Sequence, residues 1–159
     1  MTLLVWLEST ALATWVRESS SLWAYPGIIS LHAAGLAVMV GLSTMIDLRL
    51  LGFAPGLPLA GMRSLNRWIW IGFWLNAVSG MGLLVASATT MLTNPLFYTK
   101  MGLIALSMTT VILINRAAFP PGITSNVVTR RARTLAITSI VLWAATITTG
   151  RLTAYLGNN

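Results

Sequence analysis

No cysteine occurs in this sequence, and its 159 residues hold three acidic side chains and one histidine. The first absence excludes a disulfide, a thiolate metal site and a covalently attached c-type haem. The second leaves too few groups for a hydrolytic triad with its supporting residues. The acids, Glu8, Glu18 and Asp47, fall at or outside the surfaces expected for the apolar segments. There is also no Walker loop, dinucleotide fingerprint, G-x-S-x-G elbow or H-E-x-x-H pair. A self-contained enzyme is therefore not expected. Charge of either sign is scarce: 8% of residues are charged, against about 25% in a soluble domain.

What the chain has is apolar length. Hydrophobic residues make up 56% of it and its mean hydropathy is +0.79. With so little charge to keep a surface wet, the surrounding medium is expected to be lipid. Breakers divide the sequence, taken as a single membrane domain over 1–159, into four spans: 26–47, 68–92 (stopped by Asn94-Pro95), 99–119 (stopped by Pro120-Pro121-Gly122) and 134–156. Residues 2–20 mix Leu4, Leu7, Ala11 and Trp15 with Glu8, Arg17 and Glu18. They read as an amphipathic helix lying in the membrane interface, without the basic start and unbroken apolar core of a signal peptide. The fold class is all-α: four antiparallel transmembrane helices preceded by an interfacial helix.

The net charge of +7 reports topology rather than nucleic-acid binding. Arg49, Arg63, Arg67, Arg116, Arg130, Arg131 and Arg133 flank the loops joining spans one to two and three to four, whereas Arg17, Lys100 and Arg151 lie at the opposite side. Cytoplasmic loops collect Lys and Arg, so both of those loops are expected inside and both termini outside. Anionic lipid headgroups are the partners this pattern fits. Trp23, Tyr25, Trp68, Trp70, Tyr98 and Tyr155 sit near span ends, where a half-buried ring with a wet polar atom is favoured. Trp74 and Trp143 fall deeper and are expected to pack between helices. Asn76 is expected to hydrogen-bond across helices, and Ser79, Gly80 and Gly82 to let another helix come close. Asp47 and Arg49, at i,i+2, do not face each other on a helix, so each is expected to seek another partner.

The single histidine stands in the first span, in "PGIISLHAAGLAVMVGLSTMIDLRLLG". It follows Pro26 by six residues, which puts it roughly 9 Å inside the outer end of the helix. Gly35 and Met39 share its face, and Ala33, Ala37 and Gly41 form a neighbouring stripe of small residues. Small residues admit either a second helix or a flat macrocycle, and spacing does not choose between them. Lys100, at the start of span three, and Arg151, near the end of span four, reach a similar depth. A haem b with its iron on His32 would direct its propionates toward these two cations. The other iron ligand would then be Met91, Met101, an open site, or His32 of a second copy across a two-fold axis. The competing reading makes His32 an interhelical hydrogen-bond donor and leaves the cations to snorkel.

The stretches "WAYPGIISLHAAGLAVMVGLSTMIDLRLLG", "GFWLNAVSGMGLL", "NPLFYTKMGLIAL" and "SIVLWAATITTGRLTAYL" resemble a family of small, uncharacterised bacterial four-span membrane proteins. The resemblance runs from Trp23 to Leu156. Its motifs fall on His32, on Asp47 to Gly52, on Gly72-Phe73, on Asn94 to Lys100 and on Gly150 to Tyr155. It implies a multi-pass protein of the bacterial inner (plasma) membrane. More distantly the chain resembles four-helix b-type cytochromes and copper-resistance membrane domains. Relatives often carry a second His soon after the Asn that ends span three, where this chain reads "NRAAFPPG".

Two functions follow as expectations. One is a membrane electron-transfer subunit binding one b-type haem near the outer face through His32, Gly35, Lys100, Arg151, Met91 and Met101, and exchanging electrons with quinone or an outer-face partner. The other is a non-catalytic accessory or assembly subunit, a homo-oligomer or part of a larger membrane complex, whose polar residues pack helices and bind lipid. A small transporter is the weaker third, for want of a broken span or an intramembrane acid.

Overall fold

The computed structural model describes residues 3–119 and 128–156, with side chains as far as residue 153. Among these residues there are eight helices and no strand: α1 (Leu3–Glu8), α2 (Ala11–Glu18), α3 (Tyr25–Leu51), α4 (Leu59–Met62), α5 (Leu65–Ala86), α6 (Ala88–Thr93), α7 (Pro95–Ala118) and α8 (Arg130–Leu156). Four segments, Tyr25–Leu51, Leu59–Ala86, Pro95–Ala118 and Arg130–Thr153, are long and apolar enough to cross a bilayer. The chain is thus a four-span helical membrane protein. The Pro120-Pro121-Gly122 stop and the Tyr155 ring lie outside the described residues.

Local chemistry sets the helix ends. Pro26 occupies the first turn of α3, where its missing N–H costs nothing. At the other end Gly52 turns left-handed (φ 105°), and the Gly52 and Phe53 amides close on the Arg49 and Leu48 carbonyls, a Schellman pair. The buried Arg49 then braces the following loop, donating to the carbonyls of Leu57 (2.7 Å) and Pro55 (3.0 Å). Several boundaries differ from the sequence expectation: the first span runs on to Leu51, the second starts at Leu65 and the fourth at Arg130. The second span breaks at Ser87, so that 88–93 forms the separate α6. The third starts at Pro95 rather than Thr99, because the Asn94 side chain accepts from the Leu96 amide and Pro95 fits the first helical turn. Asn94-Pro95 is therefore the opening of α7 as much as the stop before it.

Helix α3 packs most extensively on α5, α7 on α8, and α3 again on α8; α5 and α7 share no extensive contact. The α3–α5 contact is made by backbone. A Cβ added to Gly35 would stand 2.7 Å from the Asn76 nitrogen, and one added to Gly72 would stand 2.9 Å from both the Gly35 oxygen and the Met39 nitrogen. Met39, Ile46, Leu50, Ile69, Met108, Val111, Ile114, Ala136 and Trp143 fill the interior. Trp74, expected between helices, instead turns outward with 60% exposure, while Trp143 is buried. On α5 the inward stripe is Ile69, Gly72, Asn76 and Ser79, and Trp74, two residues from both Gly72 and Asn76, is carried to the lipid side with Ile71, Val78 and Met81. Ala33, Ala37 and Gly41 also face outward, and nothing lies within 4 Å of a Cβ placed on Gly41.

The segment read as one interfacial helix forms two, broken where Thr10 caps α2 by accepting from the Ala13 amide. Both pack on the α5–α6 corner. Ala13 and Val16 are buried, Arg17 donates to the Ala86 carbonyl (3.0 Å), and the Glu8 carboxylate accepts from the Thr89 amide at the start of α6 (2.7 Å). The Thr89 amide and hydroxyl hold the Glu8 carboxyl below its ordinary range, with a smaller push from Arg17 and opposition from desolvation.

Two outcomes follow. Gly72→Ala should lower unfolding stability in detergent by about 1–3 kcal/mol through overpacking against the α3 backbone, and Gly41→Ala should leave it unchanged; thermal or denaturant unfolding measures both. Because the folded Glu8 carboxyl titrates below the unfolded value of about 4.3, its bond to α6 is complete above that pH and is lost as pH falls through the folded value. Hydrogen exchange at residues 87–91, corrected for its intrinsic pH dependence, should show protection lost on acidification in the wild type and missing at all pH in Glu8→Ala.

Candidate functional site

Close approach of α3 and α5 sets His32 against the α5 backbone one turn before Gly35. The Asn76 carbonyl lies 2.9 Å from Nδ1 of the ring and can only accept, so Nδ1 carries the proton. The Ser79 oxygen lies 3.2 Å from the same atom and spends its own proton on the Leu75 carbonyl at 2.6 Å, so it accepts as well. In return the Asn76 amide donates to the His32 carbonyl at 2.8 Å. The pair of helices is thus joined by reciprocal bonds between one residue of each. Gly80 completes the cradle: a Cβ there would come within 3.0 Å of the ring's Cε1.

These bonds determine which ring nitrogen is left. With Nδ1–H committed to α5, the neutral imidazole presents a lone pair at Nε2, and no described residue is hydrogen-bonded to that atom. A histidine that ligates a metal is ordinarily oriented in this way, its other N–H donated to a backbone carbonyl. Lys100 of α7 is half-buried and near enough for its charge to act on His32. Its side chain lies against Gly150 of α8, where an added Cβ would meet the lysine Cε at 3.7 Å and Nζ at 4.0 Å. All four spans therefore border the imidazole or the ammonium, α3 and α5 the first, α7 and α8 the second.

The remaining residues singled out from the sequence are distributed differently. Gly35 is buried, and its space is taken by α5 rather than left for a ligand. Arg151 follows Gly150 but is exposed, Met101 is exposed next to Lys100, and Met91 is half-buried on α6. Among the described residues no three His, Cys, Asp or Glu side chains gather as a metal site. Ser79 was anticipated as a small residue at a helix contact; its part in holding the imidazole follows from its place one turn beyond Leu75 and three residues beyond Asn76.

One sequence reading is corrected. Asp47, taken as a surface acid, is 1% exposed and lies inside the first span. The signal for this was the i, i+4 pair Ser43 and Asp47, which continues the inward stripe of Gly35 and Met39.

Asn76→Ala should cost about 0.6–2 kcal/mol in detergent unfolding, the range for an interhelical polar bond in a membrane, since it removes the bond to the His32 carbonyl. Ser79→Ala should cost less, because the Asn76 carbonyl still holds Nδ1.

No curated protein and no solved structure matches this chain. The profile of one family of unknown function, DUF6644, matches residues 3–156. With four helices able to cross a membrane and a match over nearly its whole length, the chain belongs to the DUF6644 family.

Proposed function

We propose that this protein is a membrane electron-transfer subunit that binds one b-type haem at His32. The observation that carries the reading is the fixed imidazole: Nδ1–H is held by the Asn76 carbonyl, Nε2 keeps its lone pair, and the charge of Lys100 acts on the ring. That donor set would suit one imidazole bond to haem iron from His32, with the Lys100 ammonium for an anionic propionate. Bound haem would supply a one-electron couple. The chain's own part is to orient the ring through α5, to keep Nε2 deprotonated and available, and to set a cation at the same level from α7. A second protein ligand would have to be Met91 or Met101 of the same chain, or His32 of a second copy. The partner for the electron would be a quinone or an outer-face protein.

The arginine-rich helix ends support an orientation with the loops at 53–67 and 120–133 in the cytoplasm, both termini outside, and an antiparallel order of the spans in a bacterial inner membrane. Anionic lipid is the partner those arginines fit.

A second reading is favoured by the same reciprocal bonds. His32 and Asn76 join α3 to α5 without any ligand, as expected of an accessory or assembly subunit whose polar groups serve packing. The absorption spectrum of protein produced with haem available separates the two. Under the haem reading a Soret band is present, His32→Ala abolishes it, and added imidazole restores it in that variant. A folded, helical wild type without a Soret band leaves the accessory reading.

A further inference from the structure

The second buried polar group of this bundle lies toward the other end of α3, at the arginine-rich side. Ser43 and Asp47 of α3, Asn66 of α5 and Asn115 of α7 line one small cavity together with Ile46, Ile69, Val111, Ile114 and Phe119, and its volume is about 10 Å³ for a water-sized sphere. That is room for about one water molecule. Asp47 is 1% exposed, and its Oδ2 is buried without a hydrogen-bond partner. From α8, Ser139 faces Asp47, and both the Ser139 hydroxyl and the Trp143 indole nitrogen one turn away are buried and unpaired as well. Orphaned buried polar atoms are rare in native proteins and mark a strained, functional or hydrated place.

The charges around this carboxyl are all accounted for. On its own helix Arg49 is committed to the Leu57 and Pro55 carbonyls. Arg63 and Arg67 beside and on α5, Arg116 on α7, and Arg130, Arg131 and Arg133 on α8 are exposed. No cation of the described residues pairs with Asp47, and the undescribed stretch 120–127 contains no Lys or Arg. An ionised carboxylate so placed would carry an uncompensated charge in the interior, at a large desolvation cost. The group escapes that cost by taking a proton. The Ser139 O–H and Trp143 N–H are donors that would favour the ionised form, but neither is hydrogen-bonded to Asp47 Oδ2, so they do not offset the burial of the charge.

We propose that Asp47 is an intramembrane proton-binding site, which holds a proton at neutral pH and exchanges it with water through the cavity between α3, α5 and α7. The step is simple association: one proton adds to the carboxylate to give the neutral acid, and no other bond changes. The site is separate from His32 and does not depend on what, if anything, His32 ligates.

The sequence makes the test unusually clean. Asp47 is the one aspartate of the chain, so aspartate labelled with carbon-13 at the side-chain carboxyl marks it without mutation. Infrared spectra of the labelled protein in lipid bilayers at pH 7 should show a protonated carboxyl stretch that moves on labelling. The same band should move again in heavy-water buffer, vanish in Asp47→Asn, and persist in Glu8→Gln and Glu18→Gln. A label that appears solely in carboxylate bands at pH 7 overturns the proposal, as does a protonated band that does not exchange in heavy water. A band present in potassium or choline buffer and abolished by sodium at the same pH would replace the proton by a metal cation as the occupant.

Discussion

Everything else in this structure depends on two glycines. Gly35 and Gly72 let the backbones of α3 and α5 approach so closely that neither tolerates a Cβ without a shift in the facing main chain. Lipid tails are as apolar as leucine, so burying apolar surface gives helices in a bilayer little reason to associate; close van der Waals packing and polar bonds do so instead. The glycine contact provides the first and makes the second possible. With the backbones this near, His32 and Asn76 can each bond to the other's main-chain carbonyl. A bulkier residue at either glycine would separate both bonds at once.

The same contact makes the two ends of α3 different in kind. At one end the polar atoms are satisfied: ring nitrogen, amide and hydroxyl all have partners, and what remains is one lone pair aimed away from α5. At the other end Asp47 Oδ2, the Ser139 hydroxyl and the Trp143 indole nitrogen are buried and unsatisfied. A satisfied polar network rigidifies, and an unsatisfied one is costly unless something fills it. The bundle thus combines a rigid histidine end with an arginine-rich end built around a need for hydrogen. The arginines do not relieve that need, because they are turned to the surface or, for Arg49, to a loop.

The membrane class and the four spans were legible in the sequence because hydropathy and breakers act locally, residue by residue. So was the pairing of Asn76 across helices, since a lone amide in hydrocarbon must find a partner. What could not be read was rotation. Trp74 looked like an interior residue by depth, yet depth does not say which side of α5 it occupies. Ala33, Ala37 and Gly41 looked like a contact stripe, whereas the contact uses Gly35, on the opposite side of the helix. Asp47 was misread for a related reason: its position near a helix end suggested a surface group, while the i−4 serine and the glycine and methionine before it marked an inward face. The cap at Asn94 shows the opposite case, where a residue pair commonly read as a stop is also the means by which the next helix begins.

The partition of contacts into an α3–α5 unit and an α7–α8 unit, joined along α3 and α8, bears on how the protein is made. Chains emerge from the ribosome N-terminus first and fold in that order. The glycine contact and the bonds that orient the imidazole lie wholly within residues 25–86, which leave the ribosome ahead of Lys100. The half of the site that fixes a ring is early and self-contained. The half that brings a charge to it arrives with α7 and α8, and any molecule captured between the two would act as the late fastener of the second half to the first.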